Sequence, residues 1–508
     1  MKKFTFLDLF SGCGGFSNGL EQAGFECLAG IDFNEHAIST FKKNHSAKTV
    51  ALVKDMTDFS PEELSLLIHR ENVDLIVGGP PCQGFSIARQ SAGSNSGHRL
   101  VSDSRRELYK DFFRFIEFFK PKIFVMENVL GVKKSQNGIY YTAIQNEARS
   151  IGYRVSAVEI NAWEFGVPQK RIRQLFIGTL IDLPIFVPSF NIEKTHSLLI
   201  DDQLLLPIVT LGEAIEDLPV LKAGDERVEQ EYDMGLRAKY LNKYSGKYLT
   251  DVINIENSKK LLWHCSRPHN DRDLRDFARL LEGETCSKAI SRGVEMEFPY
   301  NRNSFKDRYT KQSRSGLCST IVAHLKADGL MFIHPTQNRS LTPREAARVQ
   351  TFPDTFEFSG SRSHIFTQIG NAVPPLVGKA IGSSILKYFK IDNNKSSKVI
   401  NKVEKFNSIK ILEAFINKVL IENISNVSDH ELLKLWKIIH NLMPYLHPEA
   451  ATDNGQQISH TPSKEVSFCI EPYYLRSGWP VELVPIALEI RKRYVDGRLA
   501  FNDYYHSH

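Results

Sequence analysis

The chain contains 508 residues, of which 42% are hydrophobic and 24% charged, and its formal net charge is +5. This length is too great for one compact core, so two or three domains of an ordinary soluble globular protein are expected. Seven widely spaced cysteines without a Cys-x-x-Cys pair argue against a disulfide framework and against a structural zinc site, so no metal site is expected. The N-terminus does not resemble a signal peptide and no apolar run reaches a bilayer-spanning length, which predicts a cytoplasmic protein without membrane contact.

Short apolar strands alternate with helical stretches through the first 185 residues. Strand patterns lie at 4–9, 27–31, 75–77, 123–126 and 175–178, and helix patterns lie at 15–23, 36–44, 61–70 and 104–119. This alternation predicts a doubly wound α/β fold with a mostly parallel sheet. Ligands bind such sheets beyond the carboxyl ends of the strands, so the residues that follow each strand are the first candidates for a site.

The first strand runs into a glycine-rich turn, residues 10–15, that begins a helix. Glycines let the backbone approach a ligand closely, and a helix N-terminus presents unpaired N–H groups. The turn is neither a P-loop nor a full Gly-x-Gly-x-x-Gly fingerprint. Asp32 ends the second strand, where an acid holds ribose hydroxyls, and Asp55 follows a third strand, where it suits an adenine amino group. A tight turn without a ligand is the alternative.

The strand at 75–77 leads to Pro80-Pro81-Cys82. Prolines fix φ and cannot donate to a ladder, so the chain leaves the sheet here and delivers the Cys82 thiol to its rim. The following segment, 84–102, is rich in glycine, serine and arginine, which suits a loop that closes over substrate. These features favour a nucleophile at Cys82 over a buried cysteine that acts as a small hydrophobe.

Charged residues mark two later strands. Glu127 ends the strand at 123–126, where a carboxyl can act as an acid or simply cap the next helix. Arg171 and Arg173 lie two residues apart and, in an extended chain, point to the same face. Paired guanidinium groups bind phosphate or carbonyl oxygens well, and a solvated basic edge is the alternative.

The alternation breaks near residue 185 and returns after residue 338. We interpret 186–338 as an irregular domain inserted into a catalytic domain that consists of 1–185 and 339–392, because helix patterns return at 342–350 and 376–389. Polar residues at 390–405 predict a linker. Residues 393–508 form a C-terminal extension, and its aromatic residues favour a small core over a surface for DNA or a partner.

In their order along the chain, these segments resemble the DNA (cytosine-5)-methyltransferase family. The blocks that carry the resemblance are 6–16, Pro80-Pro81-Cys82, Glu127-Asn128-Val129, 169–176, 339–354 and 368–375. The resemblance covers 4–185 and about 318–390, but neither 186–317 nor 395–508. It implies a Rossmann-like methyltransferase fold that uses S-adenosylmethionine as the methyl donor.

The resemblance implies a role for individual residues in methyl transfer to C5 of cytosine. The Cys82 thiolate adds to C6, Glu127 in its neutral form faces N3, and Arg173 holds O2. Arg171 supports the loop and contacts phosphates. The target base must leave the duplex to reach such a site. The positions implied to surround S-adenosylmethionine are Phe10, Gly12, Gly15, Asp32, Phe33, Asp55, Met56 and Asn371.

The insertion corresponds to the family's target recognition domain, which reads the base sequence. Its last third is basic, which suits phosphate contacts, although a solvated charged face is the alternative. Tyr309 is a candidate base reader in this stretch, and Thr320 begins a Thr-aliphatic pair that the family places near the flipped nucleotide. The candidate DNA contacts are Arg302, Arg308, Arg314 and Thr320.

These predictions describe a monomeric enzyme that methylates a specific sequence in double-stranded DNA and protects it from a partner restriction endonuclease. Methylation of tRNA by a branch of the same family is one alternative, which the long insertion disfavours. A DNA-binding protein without activity is a second, against which the intact Cys82, Glu127 and Arg173 argue. A nicotinamide enzyme is a third, which the bunched glycines and the block around Asn371 disfavour.

Overall fold

A computed structural model describes most of the chain up to residue 395. The described ranges are 3–81, 107–134, 138–180, 192–198, 205–244, 247–258, 260–297, 299 and 307–395. The predictions on Cys82, on Arg302, on the loop at 84–102 and on the chain beyond residue 395 lie outside these ranges. Met1–Gly178 and Ile192–Lys387 belong to one compact unit, and the contacts discussed below lie within it.

The described residues contain one large sheet that follows the predicted alternation. Its strands are β1 (Thr5–Leu9), β2 (Glu26–Asp32), β3 (Val50–Val53), β4 (Leu75–Gly78), β5 (Ile123–Asn128), β6 (Tyr153–Asn161) and β7 (Ile172–Leu180). Their spatial order is β3-β2-β1-β4-β5-β7-β6, and the pairings among the first five are parallel. This confirms the predicted α/β fold class. The strand order reverses between β1 and β4, where open α/β sheets bind their ligands.

The two central strands are enclosed on both faces. Every residue of β1 and β4 is buried, as expected where helices cover both sides of a parallel sheet. The sequence pattern did not predict β6. Most side chains of this strand are only half-buried, and polar residues interrupt its apolar alternation, so the local signal is weak.

Helices connect these strands. They are α1 (Gly15–Ala23), α2 (Glu35–Asn44), α3 (Pro61–Ile68), α4 (Leu108–Phe119), α5 (Gly131–Lys134) and α6 (Ile139–Ser150). The Asn34 side chain caps α2 by accepting from the Ala37 N–H, and Ser60 forms a capping box with Glu63 at the start of α3. α1 instead follows Gly14, whose φ of 89° suits glycine.

Short elements make up the described part of 186–338. They are β8 (His196–Ser197), β9 (Leu206–Pro207), α7 (Leu211–Ile215), β10 (Glu229–Gln230), α8 (Met234–Lys243), β11 (Leu261–Leu262), α9 (Asp271–Arg279) and α10 (Cys286–Ser291), with a π-helical turn at Tyr248–Val252 and 3-10 turns at Ile255–Asn257 and Ala323–Lys326. β8 pairs with β9, and β10 pairs with β11.

The chain returns in three helices, α11 (Pro343–Val349), α12 (Arg362–Asn371) and α13 (Pro375–Lys395). The sequence pattern predicted α11 and α13 but not α12. Leu249 and Ile321 of the insertion pack in one hydrophobic cluster with Ala347 and Phe366 of the returning segment, so the two segments share a core. No helix within the described ranges is both long and apolar enough to cross a membrane.

A buried ionic network joins α11 to the insertion. The Arg348 guanidinium donates to both carboxylate oxygens of Asp217, at 2.5 and 3.3 Å, and to both of Asp354, at 2.9 and 2.6 Å. The Tyr232 hydroxyl also donates to Asp354, at 2.9 Å. The three charged side chains of this network are fully buried.

Buried histidines lie around a second buried pair, Arg339–Glu345, at the same junction. His334 Nε2 is 3.6 Å from Glu345 Oε1, and its Nδ1 accepts from the Thr336 and Gln337 N–H groups at 3.1 Å each. Burial lowers the pKa of His334 to about 3 and, in the same way, the pKa of His264 to about 4.

These histidines should make the fold sensitive to mild acid. Because their pKa values are lower in the folded chain than in the unfolded one, the unfolded chain takes up more protons as the pH falls from about 6.5 to about 4 for His264 and to about 3 for His334. Their stabilising contribution is complete above that window and is lost across it, at up to about 1.4 kcal/mol per pH unit for each histidine. The free energy of unfolding, measured in urea at a series of pH values, checks this.

Asp8 has the opposite effect on the pH dependence of the free energy of unfolding, because burial raises its pKa to about 7. The effect of the histidines is therefore best measured as a difference between variants. His334→Asn keeps an acceptor for the two backbone N–H groups and removes the titration. Between pH 6.5 and 4.5, the free energy of unfolding should therefore fall less steeply in this variant than in the wild type, by about 1.4 kcal/mol per pH unit. The same substitution at the exposed His324 should keep the wild-type slope. Equal slopes for all three chains would contradict the prediction.

Candidate active site

A cavity of about 500 Å³ opens at the carboxyl ends of the central strands. Its walls come from segments far apart in the sequence: the turn after β1, the end of β2, the residues after β4, the end of β5, the start of β7, and α12 with the residues that follow it. Of the predicted site residues that the structure describes, it brings together Phe10, Gly12, Asp32, Phe33, Glu127, Arg171, Arg173 and Asn371. The topology thus assembles the site at the predicted edge of the sheet.

The glycine-rich turn and Asp32 hold each other in place. The Gly12 N–H donates to Asp32 Oδ2 at 2.9 Å, and the Asn34 N–H donates to Asp32 Oδ1 at 2.9 Å. Phe10 has a φ of 61° and Gly12 a φ of 55°, so the chain turns sharply beside the cavity. Burial raises the pKa of Asp32, against the effect of these two hydrogen bonds.

Gly15 has a packing role instead of a place on the cavity wall. A Cβ at this position would lie 2.4 Å from the backbone oxygen of Val373, which itself lines the cavity. Only a glycine here lets the returning segment close against α1. Gly15 is not among the described residues that line the cavity, and its predicted contact with the ligand stays a prediction.

Asp55 and Met56 do not line the described part of this cavity. Asp55 Oδ1 accepts hydrogen bonds from the backbone and the hydroxyl of Thr57, at 3.0 and 2.8 Å. Met56 is buried, and its carbonyl accepts from Arg114 at 2.5 Å. Asp55 is thus exposed and Met56 buried just beyond β3, next to Lys54, whose N–H donates to the Asp32 carbonyl at 3.1 Å.

The buried polar atoms of the cavity wall that have no hydrogen-bond partner within the described ranges include Ser11 Oγ and Asn128 Nδ2. Both of these side chains are more than nine-tenths buried. Since buried polar groups are normally satisfied, such atoms fit a wall that hydrogen-bonds a polar ligand. With the acid at Asp32 and the exposed ring of Phe33, the donor and acceptor set suits a nucleoside that carries a polar tail.

An ion pair lines the cavity where the end of β5 meets the start of β7. Arg173 Nε lies 2.7 Å from Glu127 Oε1, and both side chains are largely shielded from solvent. Pro80 and Pro81 line the cavity next to this end of the sheet. Cys82 is the next residue in the chain, outside the described ranges. The structure therefore brings the predicted acid, the predicted O2 contact and the peptide leading to the predicted nucleophile to one cavity.

The contacts of Arg171 are with the backbone of the chain, and its predicted contact with phosphates stays a prediction. Its side chain is buried, and its guanidinium donates to the carbonyls of Ile321 at 2.9 Å, Gly370 at 3.3 Å and Ala372 at 2.9 Å. Arg171 thus ties β7 to the end of the insertion and to the residues after α12. Arg171 also lines the cavity: its two terminal nitrogens donate to the backbone, while its Nε is buried without a hydrogen-bond partner among the described residues.

Of the predicted DNA contacts, Arg308, Arg314 and Thr320 lie within the described ranges, and each has a partner within the chain. Arg308 pairs with Asp328, and Arg314 pairs with Glu282 at 3.1 Å and with Glu216 at 3.6 Å. The Thr320 hydroxyl donates to the Lys170 carbonyl. These basic side chains meet acids from neighbouring segments, a pairing that the sequence run alone does not show.

Tyr309 is wrong as a base reader. It is fully buried in the small cluster around Phe277, and its hydroxyl donates to Asp273 Oδ1 at 2.5 Å. Lys311 of the same basic stretch is buried as well and donates to the Phe277 and Leu280 carbonyls, at 3.0 and 3.2 Å. Part of the basic stretch therefore stabilises the insertion from inside.

Some cavity residues were absent from the sequence reasoning. They include Asp8, Ser11, Asn128, Lys326, His364 and Thr367. Ser11 and Asn128 stand inside the recognised blocks, so attention to the polar neighbours of each block could have found them. His364 and Thr367 lie on α12, which carries no clear apolar periodicity, and only the fold brings them to the cavity.

Comparisons with known proteins agree with this architecture. The family model described as C-5 cytosine-specific DNA methylase matches residues 4–387. The chain is 35% identical to Type II methyltransferase M.DdeI of Desulfomicrobium norvegicum over 444 residues, covering 83% of this chain and 96% of the relative. It is 32% identical to Type II methyltransferase M.AgeI of Thalassovita gelatinovora over 434 residues, covering 75% and 98%.

A solved structure is also similar to this chain. It is described as a DNA modification methyltransferase encoded within a prophage of E. coli, with a TM-score of 0.57 and 25% identity, and the similarity covers 76% of this chain and all of that one. The family match extends over well over half of the present chain and includes every block on which the resemblance was based. The chain therefore belongs to the C-5 cytosine-specific DNA methylase family.

Proposed function

We propose that this enzyme uses Cys82 to methylate C5 of cytosine in a specific sequence of double-stranded DNA, with S-adenosylmethionine as the donor. The observation that carries the proposal is that Pro80 and Pro81, which precede Cys82, share one cavity with the Glu127–Arg173 pair. Asp32 and Phe33 line the same cavity, so a donor and a base can be held side by side.

Each residue of the pair has a task in this mechanism. When the Cys82 thiolate adds to C6 of a flipped-out cytosine, electron density moves toward N3 and O2. Glu127, as a neutral acid, donates to N3, and Arg173 places positive charge at O2. Because Arg173 Nε lies 2.7 Å from Glu127, the two side chains orient each other before the base arrives.

The donor site is built from the glycine-rich turn and from residues after β2 and α12. Asp32 would accept from ribose hydroxyls and Phe33 would offer a ring face to the purine, while Ser11 and Asn371 would line the same site. S-adenosylmethionine supplies a methyl group on a positively charged sulfur, which the activated C5 accepts. A base then removes the C5 proton, and Cys82 leaves C6 to restore the aromatic ring.

The biological setting belongs to the same proposal. We infer that the protein acts as a monomer in the cytoplasm, on nucleoid DNA, and protects that DNA from a cognate restriction endonuclease. The names of the two relatives, both Type II methyltransferases, support this setting. The insertion serves as the target recognition domain and returns at Thr320, which contacts the Lys170 carbonyl beside the cavity-lining Arg171.

Bisulfite sequencing tests the proposal. DNA and tRNA from a strain that expresses the chain should be compared with nucleic acids from a strain that carries the empty vector. We expect protected cytosines in DNA, all within one short sequence context, and unchanged tRNA. Methylated tRNA together with unmarked DNA would favour the tRNA branch of the family instead.

A further inference from the structure

A histidine of α12 lines the cavity and stacks on a histidine of α2, and none of the sequence blocks includes either residue. His364 lies in the first turn of α12 and lines the cavity, as does Thr367 in the next turn. The His364 ring stacks on the ring of His36, in the first turn of α2, with 3.9 Å between the centroids and 26° between the planes. Residues 328 positions apart in the chain thus meet at the rim of the site.

The surrounding backbone accommodates this stack. Gly360 has a φ of +104°, and a Cβ there would lie 2.9 Å from His364 Cβ and 3.3 Å from His36 Cγ. α2 and α12 are also joined where the Thr40 hydroxyl donates to Gln368 Oε1 at 2.7 Å. His364 is therefore held against the segment that carries Asp32, Phe33 and Asn34.

A hydrogen bond defines which ring nitrogen of His364 carries the proton. The Ser361 N–H lies 3.3 Å from His364 Nδ1, and a backbone N–H can only donate. Nδ1 is therefore an acceptor, and the neutral ring carries its hydrogen on Nε2. The imidazole, which is exposed at the rim, offers one N–H donor to a ligand.

We propose that His364 donates a hydrogen bond from Nε2 to the adenosine moiety of the methyl donor, and that His36 positions the ring. The inference rests on the proposed use of S-adenosylmethionine. Adenosine presents both hydroxyl donors and acceptor atoms on its ribose and purine. Asp32 can accept from the hydroxyls, while His364 supplies a donor for the acceptor atoms on the α12 side of the cavity.

Isothermal titration calorimetry with two probes tests this. S-adenosylhomocysteine contains the whole donor scaffold, and 5′-methylthioadenosine contains the adenosine moiety without the amino-acid end. His364→Phe keeps an aromatic ring for the stack but removes the donor, and we expect it to weaken both probes by the same factor, about three- to tenfold. His364→Gln, which restores an amide donor, should recover part of the loss.

Further variants distinguish the loss of one ligand contact from a general loss of folded structure. His324→Phe makes the same substitution at an exposed histidine of the Ala323–Lys326 turn that does not line the cavity, and it should bind both probes like the wild type. His36→Ala should weaken both probes, and His36→Phe, which retains a ring for the stack, should restore binding. Affinity for duplex DNA without a donor should not change in His364→Phe.

Three results would overturn the inference. Unchanged affinity of His364→Phe for both probes would show that no hydrogen bond is made. A loss of affinity for S-adenosylhomocysteine alone would place His364 at the amino-acid end of the methyl donor. If the wild-type chain bound neither probe, the proposed methyl donor itself would be wrong. If the wild type and His364→Phe bound both probes equally well, only the role of His364 would be wrong.

Discussion

Replacing Cys82 by serine should lower the rate of methyl transfer to duplex DNA by about a thousandfold or more. A serine hydroxyl has the size of a thiol but ionises far less readily, so it cannot add to C6 at neutral pH. The proposed donor site lies on other segments of the cavity wall, so affinity for S-adenosylhomocysteine should be retained. Transfer of a labelled methyl group and calorimetric titration measure the two quantities on the same preparation.

Cys469→Ser is the matched control, because it makes the same chemical change in the extension beyond the residues that the family model matches. Full activity is expected for it. Wild-type activity in Cys82→Ser would rule out the covalent mechanism. A wild-type chain that binds specific DNA but transfers no methyl group would instead support the DNA-binding alternative.

Replacing Arg348 by methionine should destabilise the fold by about 3 to 5 kcal/mol. Burial alone would raise the pKa of Asp354, but the charge and hydrogen bonds of Arg348 hold it below its ordinary value. Without the guanidinium, Asp217 and Asp354 remain in the interior as two carboxylates without their main partner. The free energy of unfolding from urea titration gives the magnitude.

Arg362→Met is the control for this prediction. Arg362 pairs with Glu226 at 3.3 Å, and both side chains are accessible to solvent. Loss of such a pair should cost less than about 1 kcal/mol. Similar stabilities for the two variants would mean that the Arg348 network contributes little. A large loss only in Arg348→Met would show that the network joining α11 to the insertion holds the two segments together.

The contrast between Arg171 and Arg173 shows where sequence reasoning ends. Both arginines stand in one block, and an extended chain places them on the same face. In the structure Arg173 contacts Glu127, whereas Arg171 donates to three carbonyls that lie 150 to 201 residues further along the chain. The spacing of two residues along a strand predicts the direction of their side chains. It does not show which distant backbone groups will pack against those side chains.

Tyr309 and Lys311 make the same point for the insertion. A basic, aromatic stretch is typical of a nucleic-acid surface, and here part of it forms the inside of a small core. Burial of Lys311 is possible because the Phe277 and Leu280 carbonyls satisfy its ammonium group. Such compensation depends on the end of α9, which the run of residues 302–314 cannot reveal.

The sequence by itself determined the α/β class, the positions of five strands of the sheet, the turn and acid beside the cavity, and membership of the methylase family. These features follow from local periodicity and from short blocks, which need no knowledge of distant contacts. Only the tertiary structure decided that α12 forms a cavity wall, that Gly15 makes room for Val373, and that His364 meets His36. Each of these contacts joins residues that are hundreds of positions apart in the chain. They meet because the returning helices pack against the sheet.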